Sequence, residues 1–333
     1  LKATREDVIH AYRLLLGREP DDQGLQHFFG ILDTRSISTR ELTMLFMDSG
    51  EYQEAAPKPI VSSVERPVTG RLICSPCTQA GLESSTFRDW AQQLRERPGH
   101  LHRKVWEWCF ISQALFERGM LANERTGLGF AVGREPLTAK FAAMGCKVVA
   151  TDLDFENADR EGWVDGLQHA ANLDALNDRE LCEKELFKQR VSFQSADMRA
   201  ISPGLKGFDF LWSSCALEHL GSLEEGMSFV IESLKCLRPG GIAVHTTEIN
   251  VDSDVDTIKK GHDVIYRKND FLKLAERLAG LGHHIEPFDF DFGDQEADRI
   301  VDEPPYTGMP HLKLRIGRFA STSFGLIVTK GVA

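Results

Sequence analysis

Apolar positions recur at helical spacing from the start of the chain. Val8, Ile9, Tyr12, Leu15 and Leu16 follow the capping pair Thr4 and Asp7, and Gly17 offers a stop. Ser38-Thr39-Arg40-Glu41 forms a second capping box leading into Leu42, Leu45 and Phe46. Three short helices packed on Tyr12, Phe28, Phe29, Leu45 and Phe46 are expected over residues 1–56, a small all-α module that buries little surface by itself. Residues 57–84, rich in Pro, Ser and Thr without a helical period, read as a linker over the surface. From residue 85 the spacing of Phe87, Trp90 and Leu94 predicts a helix stopped by Pro98-Gly99, and Val105, Trp108, Ile111, Ser112 and Leu115 predict another.

Beyond residue 125 the pattern alternates between strand and helix, as in a parallel α/β sheet. Strands are expected at Arg125–Val132, Lys147–Thr151, Val191–Ser195, Phe208–Ser213, Ile242–Thr247, near His284–Phe290 and at Ser323–Thr329. Between them lie helices over Pro136–Met144, from the Ser222/Glu225 cap to the stop at Pro239-Gly240-Gly241, and over Asp270–Ala279. The reading is a Rossmann-like, doubly wound, seven-stranded α/β domain over residues 85–333.

Charge narrows the function classes. Lys+Arg number 39 and Asp+Glu 50, so the net charge of the 333 residues is 39 − 50 = −11. This argues against nucleic-acid binding through bulk positive charge and against a polybasic membrane-surface protein. No apolar run approaches the ~18 residues of a membrane span. The start, Leu1-Lys2-Ala3, has neither a secretion-signal layout nor an initiator Met, as in a chain processed or excised from a longer one. Seven scattered cysteines, an odd number, suit a reducing cytoplasm rather than a disulfide framework. Cys74-Ser75-Pro76-Cys77 has no second pair to complete a zinc set and reads as structural.

The chemistry gathers at Gly127-Leu128-Gly129-Phe130-Ala131-Val132-Gly133-Arg134-Glu135-Pro136, a glycine cluster joining strand to helix. Asp152 follows Gly133 by 19 residues at the tip of the next strand, where a carboxylate can accept from both ribose hydroxyls of an adenosine. The glycine spacing is two then four, unlike a dinucleotide fingerprint. Glu135 stands where a pyrophosphate would lie, and an anion there suits a cationic ligand better.

Further segments carry a resemblance. Thr151-Asp152-Leu153, Ser195-Ala196-Asp197-Met198 and the run from Phe208 through Ser213-Ser214-Cys215 to Glu218-His219-Leu220 resemble class I S-adenosylmethionine-dependent methyltransferases, as does the turn Leu237-Arg238-Pro239-Gly240-Gly241. The resemblance implies that Gly129, Phe130, Ala131 and Gly133 line the methionine and ribose, that Asp152 holds the ribose hydroxyls and that Leu153 flanks the adenine. It also implies that Asp197 accepts from the adenine amino group beside Met198, with Ser213, Ser214 and Cys215 under the methionine end. The acidic residue usual two positions before the first loop glycine is missing, since Gly129 stands there and Ala131 replaces that glycine. Glu135, or Arg103, Lys104 or Trp106 on the preceding helix, is expected to compensate. Gly133–Leu137, Trp212–Ser222 and His245–Asn250 look closer still to a bacterial branch of these enzymes found with polysaccharide genes. Tyr12-x-x-Leu15-Leu16-Gly17-Arg18-Glu19-Pro20-Asp21-x-x-Gly24, ending near Glu51-Tyr52, resembles a small helical module of unassigned role often found beside bacterial glycosyltransferases and methyltransferases. Arg18, Glu19 and Asp21 read there as turn-stabilising residues, and the module as a place for a protein partner or a fused domain.

A hydroxyl acceptor must lose a proton, and the candidate bases at strand ends are His219, His245 and Glu248. Residues 155–190 and 286–320 are insertions able to wall the acceptor, with Gln168-His169 in the first and a run of acids over 289–303 in the second. Those acids read as a solvated loop, or as metal ligands if paired with His245 or Glu248. The expectation is a cytoplasmic S-adenosylmethionine-dependent methyltransferase acting on a sugar or surface-glycan hydroxyl, with no resident metal. A non-catalytic cofactor-binding scaffold of a glycan assembly complex and a nucleotide-dependent oxidoreductase are the alternatives.

Overall fold

In the computed structural model the Thr4–Asp7 pair caps the first helix, α1 (Arg5–Leu15), in both directions. Asp7 Oδ2 accepts from the Thr4 N–H at 2.8 Å and Thr4 Oγ1 from the Asp7 N–H at 3.3 Å. The structure describes residues 2–16, 18–47, 49–51, 70–97, 99–153, 173–306 and 308–332, which form two units on either side of residue 65. In the smaller unit α1 packs with α2 (Asp22–Thr34) and α3 (Thr39–Met47). Its centre is aromatic: Phe28 stacks on Phe46 at 4.1 Å, and the Tyr12 ring meets Phe46 edge-on at 4.9 Å. Leu45, expected in that core, is exposed, because Leu42 and Phe46 take the inward face of α3. Arg18, Glu19 and Asp21 do brace the turn: Asp21 caps α2, Arg18 pairs with Asp21 and Glu51, and Arg13 pairs with Glu19. Gly17 and Tyr52 lie outside the described residues.

The larger unit takes in residues 70–84, which corrects the surface-linker reading for that segment. Ser75–Pro76 (β1) pairs with the last strand, Gln79–Glu83 forms α4, and Cys74, Cys77 and Leu82 are buried. The composition misled because the segment is held by backbone bonds rather than by periodic apolar residues. The Cys74 N–H donates to Pro287 O at 3.0 Å, and the Cys77 N–H to Ser323 O at 2.8 Å. Residues 57–69 of the expected linker lie outside the described residues.

Helices α5 (Ser85–Gln93) and α6 (Arg103–Phe116) precede the main sheet and pack on one another. The parallel strands are β2 (Thr126–Phe130), β3 (Lys147–Asp152), β4 (Val191–Ser195), β5 (Phe208–Ser214) and β6 (Leu237–Asn250), in the spatial order β4-β3-β2-β5-β6. Helices α7 (Leu137–Ala143), α8 (Lys184–Arg190), α9 (Leu223–Ser233) and α10 (Lys268–Gly280) alternate with the strands. The Rossmann-like α/β class is thus observed.

Strand number and lengths differ from expectation. Among the described residues the sheet has ten strands, adding β1, β8 (Val301–Asp302) and β9 (Lys313–Ile316) to the expected set. Strands this short show no usable alternation. The strand expected near 284–290 is only His284–Ile285 (β7), and the final strand β10 runs Phe319–Thr329 antiparallel to β6. Helix α9 ends at Ser233, before the predicted stop, and β6 already begins at Leu237. No helix of the described residues is long and apolar enough to cross a membrane.

Candidate active site

The turn after β2 is tightly wound. Ala131 and Gly133 both adopt positive φ, 48° and 49°, a conformation that costs a residue with a Cβ. Strand β3 ends on Asp152, whose Oδ2 accepts from the Gly133 N–H at 3.1 Å and Oδ1 from the Leu153 N–H at 2.9 Å. The carboxylate expected to meet a ribose therefore also ties the two strand tips together.

The glycines do different jobs. A Cβ at Gly127 would stand 2.3 Å from the Phe210 ring, and one at Gly129 2.4 Å from Val132 and 2.5 Å from Trp212. These two are packing glycines. Gly129 and Phe130, both expected against the cofactor, do not line the cavity at this end of the sheet; Phe130 is fully buried, edge-on to Phe229.

That cavity, about 370 Å³, lies at the C-terminal ends of β2, β3, β4 and β5, and its size suits a small organic ligand. Ala131, Gly133, Glu135, Asp152, Leu153, Asp197, Met198, Ser214, Cys215 and His219, all candidates in the sequence, line it. Ser213 does not; it is buried and bonded to His245. Asp197 is held by Arg199, which donates from its backbone at 2.8 Å and from its guanidinium at 3.1 and 3.2 Å. Sequence reasoning missed Trp108, Arg134 and Arg199 in the lining.

The floor is built by α6, which brings Arg103, Lys104 and Glu107 beneath the tip of β5. Glu107 is fully buried and accepts from four groups: Ser214 (3.0 Å) and Lys104 (2.9 Å) at Oε2, Ser323 (2.6 Å) and Cys215 (3.0 Å) at Oε1. Burial alone would raise its pKa, but the Lys104 ammonium and Arg103 guanidinium hold it at about 2. Glu135 has the opposite balance: desolvation pushes it up to about 8 despite the pull of Lys104. The residue is half-buried, yet its Oε2 is shielded from solvent and has no hydrogen-bond partner among the described residues. An unpaired carboxylate oxygen at a cavity wall is a place for a cation or a donor. Of the other expected substitutes for the missing acid, Lys104 lines the cavity, Arg103 turns to Glu248, and Trp106 stacks on Phe110 in the core.

The three candidate bases separate clearly. His219 lines the cavity from the turn that closes β5, with Nδ1 3.1 Å from Asp263. His245 is fully buried outside it, paired through Nδ1 with Ser213 Oγ at 2.8 Å, and burial lowers its pKa to about 3. Glu248 is also buried, held by Arg103 and by the Ser321 hydroxyl at 2.6 Å. Strand position alone cannot tell a side chain at the mouth from one beneath the sheet.

None of the described residues of 286–320 lines this cavity. Two of the insertion's acids are buried and structural. Asp298 accepts from the Gln79 N–H at 2.8 Å, and Asp302 meets His311 Nδ1 at 2.5 Å. Among the described residues no three-membered ligand group includes an acid of 289–303. Gln168-His169 lie outside the described residues.

Five parallel strands with a cavity at their carboxyl edge, and an acid at the tip of β3, define a Rossmann-like α/β domain. Residues 128–245, from β2 into β6, match the family described as "Methyltransferase domain". No curated protein matches the chain. Similar solved structures include magnesium protoporphyrin IX methyltransferase from Synechocystis with bound S-adenosylhomocysteine, at 11% identity, TM-score 0.39, covering 65% of this chain and 78% of that one. A methyltransferase from Pyrococcus furiosus is 18% identical, at TM-score 0.35, covering 66% and 82%. An S-adenosylmethionine-dependent methyltransferase from Methanosarcina mazei is 12% identical, at TM-score 0.40, covering 66% and 98%. The match identifies residues 128–245 as a methyltransferase domain and supports an enzyme that uses S-adenosylmethionine.

The residues fit that cofactor. The cavity presents Asp152 at the tip of β3 and the Glu135 carboxylate in the turn before α7, where a ligand carrying ribose hydroxyls and positive charge can satisfy both.

Proposed function

We propose that this enzyme methylates a hydroxyl of a sugar or surface-glycan precursor in the cytoplasm, its helical module joining it to a protein partner or a fused domain. The reading is carried by one observation: among the three candidate bases only His219 lines the cavity that Asp152 and Glu135 also line. The glycan acceptor draws its support from the resemblance of Gly133–Leu137, Trp212–Ser222 and His245–Asn250 to the polysaccharide-associated branch. A cytoplasmic location is in keeping with seven cysteines that are all free.

In this reading the cofactor supplies a methyl group on a sulfonium, open to in-line attack by an acceptor oxygen. Asp152 accepts from the ribose hydroxyls, Leu153 and Met198 flank the adenine, and Asp197 turns from Arg199 to the adenine amino group. Glu135 receives the positive charge of the methionine end, while Lys104 and Glu107 fix the walls around it. Ser214 and Cys215 bound that end from β5. His219 stands on the acceptor side, where it can take the hydroxyl proton. Much of the rate then comes from positioning.

Calorimetry with S-adenosylhomocysteine and NAD, followed by methyl turnover on a panel of glycan precursors, tests the reading. Asp152→Ala should weaken S-adenosylhomocysteine about 10- to 100-fold, the loss of hydrogen bonds to a charged group. Tight NAD binding without S-adenosylhomocysteine affinity would sink the proposal, and turnover confined to amine or carbon acceptors would sink its hydroxyl part.

A further inference from the structure

The turn Leu217–His219 is faced by a loop that returns to it at residues 259–264. Backbone bonds fix the two together: Val264 N–H to Glu218 O at 3.0 Å, Gly261 N–H to Gly221 O at 3.0 Å, and Leu223 N–H to Lys259 O at 3.2 Å. The juxtaposition collects two imidazoles and a carboxylate. His219 Nδ1 and His262 Nδ1 lie 3.1 and 3.3 Å from Asp263 Oδ1, and the ligand atoms of all three residues fall within 4.8 Å of one another. We propose that His219, His262 and Asp263 form a binding site for a first-row divalent cation such as Zn²⁺ or Mn²⁺, at the edge of the cavity.

Spacing is the first argument. Donors each about 2.1 Å from a cation stand about 3.0–3.4 Å apart when the angle between them runs from a right angle to tetrahedral. Both Nδ1–Oδ1 separations fall in that window. The second argument comes from Glu218. Its Oε2 is fixed by the Thr247 hydroxyl at 2.9 Å, but its Oε1, fully buried, has no hydrogen-bond partner among the described residues and lies 4.0 Å from His219 Nε2. An imidazole that ligates through Nδ1 carries its proton on Nε2 and needs an acceptor there. Glu218 supplies that acceptor after a small rotation of the ring.

Donor chemistry sets the metal class: two imidazoles and one carboxylate suit Zn²⁺, Mn²⁺ or Fe²⁺ rather than Mg²⁺ or Ca²⁺. Both rings bind as neutral imidazoles; His219 Nδ1, now 3.0 Å from the His262 carbonyl oxygen, gives up that hydrogen bond on ligating, and the protons leaving Nδ1 go to solvent. His262 and Asp263 are about half exposed, at 52% and 45%, so a ligand oxygen can reach the cation from outside. The use of the site rests on the hydroxyl-methylation reading. With the cation bound both His219 nitrogens are engaged, so vicinal hydroxyls of a sugar-like acceptor ligate the cation, the acidified one loses its proton to solvent rather than to His219, and diol acceptors are favoured over isolated hydroxyls.

The test takes the full chain, freed of metal by a chelator, and titrates it with Co²⁺ while recording visible absorption, with Zn²⁺ and Mg²⁺ in parallel calorimetry. The proposal expects saturable Co²⁺ and Zn²⁺ binding with no Mg²⁺ binding of similar strength, and at least about tenfold weaker Co²⁺ binding in His262→Gln and in Asp263→Asn. Absence of Co²⁺ uptake by the native chain, or equal uptake by both variants, overturns it. S-adenosylhomocysteine calorimetry on the same samples reports separately on the methyltransferase reading, so the two failures are distinguishable.

Discussion

Gly129 and Gly133 sit four residues apart and answer to different forces. At Gly129 a methyl group would drive into Val132 and Trp212, so Gly129→Ala should cost about 1–3 kcal/mol of stability, read as a lowered melting temperature. At Gly133 the constraint is the positive φ and the hydrogen bond to Asp152, so Gly133→Ala should weaken S-adenosylhomocysteine more than it lowers the melting temperature. Glycine spacing in the sequence could locate the turn but could not tell these roles apart, since both depend on what packs above the strand. Glu135 gives a pH prediction. Its pKa of about 8 means the empty site holds a proton near neutrality, which a cationic ligand must expel. S-adenosylmethionine affinity should therefore rise between about pH 6.5 and about pH 8.5, and Glu135→Gln should flatten that slope in calorimetry.

Helix α6 carries the buried charge at element scale. The apolar positions Val105, Trp106, Cys109, Phe110 and Ile111 are all buried, and so is Glu107 between them. Its carboxylate is tied at once to Lys104, β5 and β10. The depressed pKa of Glu107 fixes the sign of its pH effect: its contribution to stability is full above the ordinary carboxyl range and is lost as pH falls towards about 2. Glu107→Ala leaves Lys104 and two hydroxyls without their acceptor and should cost about 3 kcal/mol, measured by urea unfolding near neutral pH. The positions of α6, of the parallel strands and of Asp152 were readable from periodicity and turn chemistry. Glu107 was not, although a carboxylate inside an apolar helix face is the signal that could have found it. Nor could sequence show that His245 and Glu248, one strand away from His219, face a buried polar layer rather than the cavity. Side-chain direction along β6 depends on how β10 covers it, through pairings such as Glu248 with Ser323.

At the scale of the whole molecule, the described residues form two separate hydrophobic cores, one around Tyr12, Phe28 and Phe46 and the other around the sheet. A chain beginning at residue 70 should retain S-adenosylhomocysteine affinity within about twofold, since none of the cavity lining comes from the first unit. Loss of binding in that shortened chain, if it remains folded by circular dichroism, would contradict this division. The larger core has a further practical consequence. All seven cysteines are buried, and Cys215, at 7% exposure, is the one among them that lines the candidate cavity. Burial holds its thiol well above the usual range, so alkylation there is slow, and it requires entry through the ligand's own space. On the proposed reading the protein would carry an intrinsic occupancy gauge: the rate at which a small thiol reagent marks Cys215 should fall as S-adenosylhomocysteine fills the cavity.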